Sequence, residues 1–202
     1  MIAVLGSRFI RNCWGLIAQP YTTMRRLSIE GDSVDGFGMW CAVFIGFVFI
    51  ALLRSRSLHP FLLTYNFGLL TTGVVFTALL TVLGIYVIGK LVGGQGELRT
   101  IVVTWSMTLL PTLIWFIAAS FSYLVLPPPR NLTILGKLFS LVFIAGSVAL
   151  FFWKGMLYYL TLRFGMRLSM SKILIVSAII FPLGVLYSIV MYKVGIFRIP
   201  FI

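Results

Sequence analysis

LFSLVFIAGSVALFFWKGMLYYLTL, residues 138–162, carries one charged side chain, Lys154, in an otherwise apolar run. A bilayer core about 30 Å thick is crossed by roughly 20 apolar residues in helical form. The stretch is long enough to span a membrane. Lys154, after Trp153, either ends the span or lies one to two turns inside its end, and a long lysine side chain can reach back to the headgroups.

Four further stretches read the same way, giving spans at approximately Phe37–Leu53, Phe61–Ile88, Ile101–Leu126, Leu138–Leu162 and Ile173–Tyr192. The chain of 202 residues is 60% hydrophobic and 10% charged, with a mean hydropathy of +1.09, whereas a soluble domain holds about 25% charged residues. No polar segment exceeds about forty residues, too short for a separate domain core. The fold class expected is all-α: a polytopic membrane protein with an interfacial N-terminal region over 1–36, a five-helix domain over 37–192 and a short tail over 193–202.

The net charge of +12 sits at the ends of the apolar runs, which fits membrane anchoring and excludes a nucleic-acid partner. With the N-terminus cytoplasmic, that side holds Arg8, Arg11, Arg25, Arg26, Lys90, Arg99, Lys154, Arg163, Arg167 and Lys172. The other holds Arg54, Arg56, Arg130, Lys137, Lys193 and Arg198. Ten cations against six predict an N-in, C-out protein of the bacterial inner or plasma membrane.

Residues 2–17 place Ile2, Leu5, Phe9, Cys13 and Ile17 on one helical face, with Ser7 and Arg11 opposite. This predicts an amphipathic helix in the headgroup region. Pro20 can open a second short helix, PYTTMRRL. Arg8, Arg11, Arg25 and Arg26 are then candidates for lipid-headgroup contact. Cys13 and Cys41 are too few for a disulfide framework or metal site and read as reduced, structural thiols, with S-acylation of Cys13 as the alternative. GDSVDGFG, residues 31–38, reads as a turn-rich lead into the first span. PPPRNLT, residues 127–133, reads as a stiff hairpin whose Asn131 sequon lies too close to the membrane to be a good glycosylation site.

Catalytic constellations are sparse. The lone histidine, His59, precedes a proline in an outer loop, and the four acids, Glu30, Asp32, Asp35 and Glu97, all lie in connections. No spacing suggests a metal, and nothing calls for a cofactor. Ser169-Met170-Ser171-Lys172 matches S-x-x-K of penicillin-recognising enzymes, but the companion motifs are absent. A cap of the fifth span by one serine, with Lys172 reaching the headgroups, is the expected role. No ionisable group occupies the central third of any span, which argues against ion-coupled transport. Pairing of Lys154 with Glu97 would make these two the candidates for helix docking or partner contact.

Pro111 and Pro182 are predicted to kink the third and fifth spans, freeing carbonyls for Thr108, Thr112 and Ser177. A groove between kinked helices, lined by Thr104, Thr108 and Ser177, would suit the alternative function of a small-molecule or lipid transporter. Gly84, Ala145, Gly146, Ala149 and Ala178 would let helices approach closely.

QPYTTMRRL, the five spans, the segment GGQGELRTIVVTWSMTLLP after the second span, and the turn LSMSK before the fifth together resemble the Ypt-interacting-protein (Yip) domain family in a prokaryotic-type version. The similarity covers about Gln19 to Tyr192, and its most specific element is G-G-x-G followed by a helix with Ser106 and Pro111 in its middle. The resemblance implies a five-span, all-helical protein without enzymatic activity. It also implies an accessory or scaffold role beside a membrane transport or trafficking complex, such as an ABC-type transporter. Eukaryotic members associate with small GTPases, but their tyrosine-glycine-proline signature is absent here, so a small GTPase is not the expected partner. The expected partners are membrane lipids and another membrane protein.

Overall fold

The computed structural model describes residues 2–54, 60–125 and 134–193. His59, Arg56, the 127–133 hairpin with Arg130 and Asn131, and the tail from 194 with Arg198 lie outside the described residues. Every described element is helical, in the order α1 (Ile2–Ala18), α2 (Pro20–Glu30), α3 (Ser33–Arg54), α4 (Pro60–Leu91), α5 (Leu98–Met107), α6 (Leu109–Val125), α7 (Ile134–Leu160), a π-helical turn (Thr161–Gly165) and α8 (Met170–Lys193). Four segments are long and apolar enough to cross a membrane: Thr71–Leu91, Leu98–Ser122, Ile134–Gly165 and Met170–Lys193. Ser33–Phe49 is a shorter apolar helix.

Local chemistry explains the boundaries. Gln19 is extended, and Pro20 follows as the first residue of α2, where its missing N–H costs nothing. GDSVDGFG is not the turn its glycines suggested. Asp32 caps α3, accepting from the Ser33 N–H at 2.7 Å, while Asp35 reaches back to the Asp32 N–H at 3.3 Å. Together they satisfy two of the N–H groups left open where a helix starts. Gly36 and Gly38 then lie inside α3, Gly36 against the Val103 backbone on α5 and Gly38 where a side chain would crowd the Phe9 ring on α1.

The third predicted span is broken. α5 ends at Met107 and α6 begins at Leu109, two residues ahead of the buried Pro111. A proline ring collides with the carbonyl four residues before it, here that of Met107, so the break falls where the ring forces it. The Thr108 hydroxyl donates to the Trp105 carbonyl at 2.7 Å, serving one of the acceptors left at the end of α5. Pro182 differs: α8 runs through it without interruption.

The GGQG turn is a packed junction and not a hinge. Gly93 has a φ of +86°, which L-residues with a side chain seldom adopt. A Cβ at Gly96 would collide with the Gly165 carbonyl. The Gln95 N–H donates to the Met166 carbonyl at 3.1 Å, and the Lys172 ammonium to the Gly93 carbonyl at 3.4 Å. The turn between α4 and α5 is thereby tied to the turn between α7 and α8, which places both at one polar end of the bundle.

Helix seams are pinned by single polar bridges. The Trp40 indole donates to Ser106 Oγ at 3.1 Å and the Trp115 indole to Ser147 Oγ at 2.9 Å, while the two serines donate to the carbonyls four residues back on their own helices. Thr77 and Tyr187 share a hydrogen bond of 2.8 Å between α4 and α8. A hydroxyl that satisfies itself locally and still accepts from a neighbour leaves no bare polar atom facing lipid, and each such bridge contributes about 0.6 kcal/mol.

The small residues expected at the seams are elsewhere. A Cβ at Gly84 or Gly146 would meet no atom within 4 Å, and Ala145, Ala149 and Ala178 are exposed. They do not draw this chain's helices together. Packing at the polar end is instead built on Leu16, Met24, Leu27, Met39, Met107, Leu110, Leu157 and Leu160, which joins α1 and α2 to α3, α5, α6 and α7.

Candidate functional site

The first two helices are bound to the bundle through a polar chain centred on Asp35. Its carboxylate, 3% exposed, accepts from Arg8 at 2.9 Å and from the Asn12 amide at 3.0 Å, in addition to the Asp32 N–H. Asn12 is also buried, and its carbonyl oxygen accepts from Arg26 at 2.7 Å. Arg8 further donates to the Glu30 carbonyl at 3.3 Å. A buried carboxylate is tolerated because it is paired and fully hydrogen-bonded. The chain Arg26–Asn12–Asp35–Arg8 therefore links α2, α1 and α3.

That network changes the reading of the four N-terminal arginines. Arg8 and Arg26 have fixed internal partners, so they are positioned groups and not free snorkelling cations. Arg11 and Arg25 are exposed. Arg8, Arg11 and Asn12 follow one another on one face of α1 at the three- and four-residue spacing of a helix, with Arg26 facing them from α2. They line a cavity of about 220 Å³ together with Leu27, Glu30 and Gly31. A second cavity of about 490 Å³ adjoins it, sharing Arg11 and Arg26 and adding Trp14, Gly15, Ala18, Gln19, Thr22 and Thr23. Arg25 lines neither.

α1 presents two apolar stripes, which a single-face reading missed. Phe9, Cys13 and Leu16 turn into the bundle, whereas Ile10, Trp14 and Ile17 are 67%, 68% and 51% exposed. Ile17 belongs to the outer stripe, not to the face with Phe9 and Cys13. Burial pushes the Cys13 thiol up to about 11, since a thiolate loses hydration there. The group is correspondingly poor as a nucleophile or acylation site.

The remaining candidates are dispersed. Glu97 caps α5 in extended conformation and is exposed, with no side-chain hydrogen bond to the helix. No ion pair joins it to Lys154 of α7, a residue that keeps exposed surface. Ser169 and Ser171 are exposed with their hydroxyl oxygens 3.4 Å apart, and Lys172 is turned to Gly93 and away from them. Thr104 and Thr108 are buried with hydroxyls bonded to the Thr100 and Trp105 carbonyls, so these two line packing and not a groove. Among the described residues, no three His, Cys, Asp or Glu side chains converge as a metal site would require.

Sequence reasoning missed Asp35 and Asn12. The D-x-x-D spacing of Asp32 and Asp35 was a usable signal for a helix start that would draw the second acid inward, but the flanking glycines concealed it. No family model, curated protein or solved structure matches the chain.

Proposed function

We propose that this chain is a non-enzymatic integral membrane scaffold or accessory subunit, a Yip-like partner of another membrane protein such as a transporter. In this reading α3 is the first of five spans, the N-terminus is cytoplasmic and the C-terminus extracytoplasmic. α1 lies along the cytoplasmic surface, and α7 is the docking helix. The observation that carries the reading is the state of α7. Only 6% of the apolar window of Ile134–Gly165 is buried within the chain, against 44% for Leu98–Ser122.

α7 exposes Ala145, Gly146 and Ala149, small enough for close helix approach, and also Lys154, half a turn round the helix from Ala145. Lys154 lies three residues before Leu157 of the polar-end cluster, roughly 4.5 Å along a helix. An unpaired charge costs roughly 2.5 to 3.5 kcal/mol at the centre of a span and less toward its end, where Lys154 lies. The occupant that removes this cost is a transmembrane helix of another protein bearing an aspartate or glutamate at matching depth.

The test places a photo-crosslinking residue at position 146, and in a second variant at exposed position 83 on α4, in cells making the full chain. Position 146 is expected to capture one polypeptide that position 83 does not. Lys154→Met should reduce capture at least tenfold, and Lys154→Arg should restore it. Capture that Lys154→Met leaves intact, or capture only of a second copy of this chain, would overturn the proposal.

A further inference from the structure

The arginines of α1 and α2 form more than a diffuse basic surface. Arg8 is held by Asp35 and Arg26 by Asn12, so two guanidinium groups are oriented before any ligand arrives. Each hydrogen bond occupies one of five donors, leaving the remaining N–H groups for another acceptor. Arg11, between them, spends none of its donors on the described chain. Three guanidinium charges stand against two carboxylates, Asp35 and Glu30. The cavity is left with one positive charge.

The surroundings identify which anion fits. The 220 Å³ cavity opens beside the larger one, where Trp14 and Ala18 are apolar and Gln19, Thr22 and Thr23 add polar groups to a lining that shares Arg11 and Arg26. Outside it runs the uncovered stripe Ile10, Trp14 and Ile17. A free inorganic anion would have no use for that stripe. A glycerophospholipid would use all three parts: phosphate at the arginines, glycerol esters at Gln19 and Thr22, acyl chains along Trp14 and Ile17.

We infer that the cleft between α1 and α2 is a stoichiometric binding site for the phosphodiester of a singly charged anionic glycerophospholipid, gripped by Arg8, Arg11 and Arg26. Arg25, although it lies beside Arg26 in sequence, is not part of the site. The single net charge matches one phosphodiester, and Glu30 at the rim disfavours a second negative charge. Guanidinium pairs recognise phosphate oxygens with two parallel N–H donors, and orientation by Asp35 and Asn12 lowers the entropy lost on binding. The inference is independent of how α7 is covered.

The experiment uses the full chain purified in a mild neutral detergent, with thermal unfolding and native mass spectrometry as readouts. Dihexanoylphosphatidylglycerol is expected to raise the Tm saturably and to bind with one molecule retained per chain. Arg11→Gln should weaken binding at least tenfold while leaving the lipid-free Tm unchanged, because Arg11 has no hydrogen-bond or ion-pair partner among the described residues. Trp14→Ser should also weaken it, and Arg25→Gln should not. Equal protection by inorganic phosphate or by dihexanoylphosphatidylcholine would overturn the inference, as would an equal loss in Arg25→Gln, which would mean diffuse charge attraction.

Discussion

Asp35→Ala should loosen α1 from the bundle by an amount that can be worked from its contacts. The substitution removes the acceptor for Arg8 at 2.9 Å and for Asn12 at 3.0 Å. Leaving the buried Asn12 amide without an acceptor costs about 1 to 2 kcal/mol. The Arg8 arm counts for less. Its side chain is 38% exposed, water replaces part of the lost interaction, and about 0.5 kcal/mol is a fair share. The total is about 2 kcal/mol, or roughly 30-fold in the equilibrium between docked and undocked α1.

Cys13 reports that opening. Its thiol packs against the cluster that holds α1 in place, and burial pushes it up to about 11 from the ordinary 9.0. In a Cys41→Ser background at pH 8, alkylation by iodoacetamide proceeds through the undocked form, so Asp35→Ala should accelerate it about 30-fold. The pH profile gives a second reading. Docking raises the thiol value, so its contribution to docking is complete below pH 9 and is lost as pH rises through 11. While most molecules keep α1 docked, the profile should level off near 11 in both proteins, with the Asp35→Ala curve about 30-fold higher throughout. A rate within twofold of the parent across the profile would refute the clamp.

Two further outcomes follow from packing and exposure. Gly96→Ala forces a methyl group against the Gly165 carbonyl and should cost about 1 to 3 kcal/mol, visible as a lower Tm in detergent, whereas Gly146→Ala, with open space around it, should leave the Tm unchanged. Arg99→Ala breaks the 2.8 Å pair with Asp32, but both partners are about half exposed, so thermal stability should change by less than about 0.5 kcal/mol.

What was legible in the sequence was whatever a single helix decides by itself. Apolar length located the segments long enough to cross a membrane, Pro20 marked the start of α2, and Pro111 marked an interruption that falls at Thr108. What escaped was whatever depends on a second helix. Asp35 reads as one more loop acid until α1 is laid across α3, when Asn12 and Arg8 arrive to neutralise it. Gly36 and Gly38 read as turn formers because composition cannot distinguish a glycine that bends the chain from one that admits a neighbour.

The same limit explains the small residues. Spacing of Gly146 with Ala145 and Ala149 says that some helix can approach α7 closely, but not whose helix it is. The seams within the chain were made instead by Trp40 with Ser106, Trp115 with Ser147, and Thr77 with Tyr187, pairs far apart in sequence. Such pairs have an internal reason to exist: each indole or hydroxyl would be unsatisfied in lipid without its partner. Lys154 has the same need and no ion-pair or hydrogen-bond partner among the described residues, so α7 is left open there where Trp40, Trp115 and Tyr187 close their seams. That asymmetry, more than the apolar surface around it, makes α7 the helix on which a partner's carboxylate should be sought.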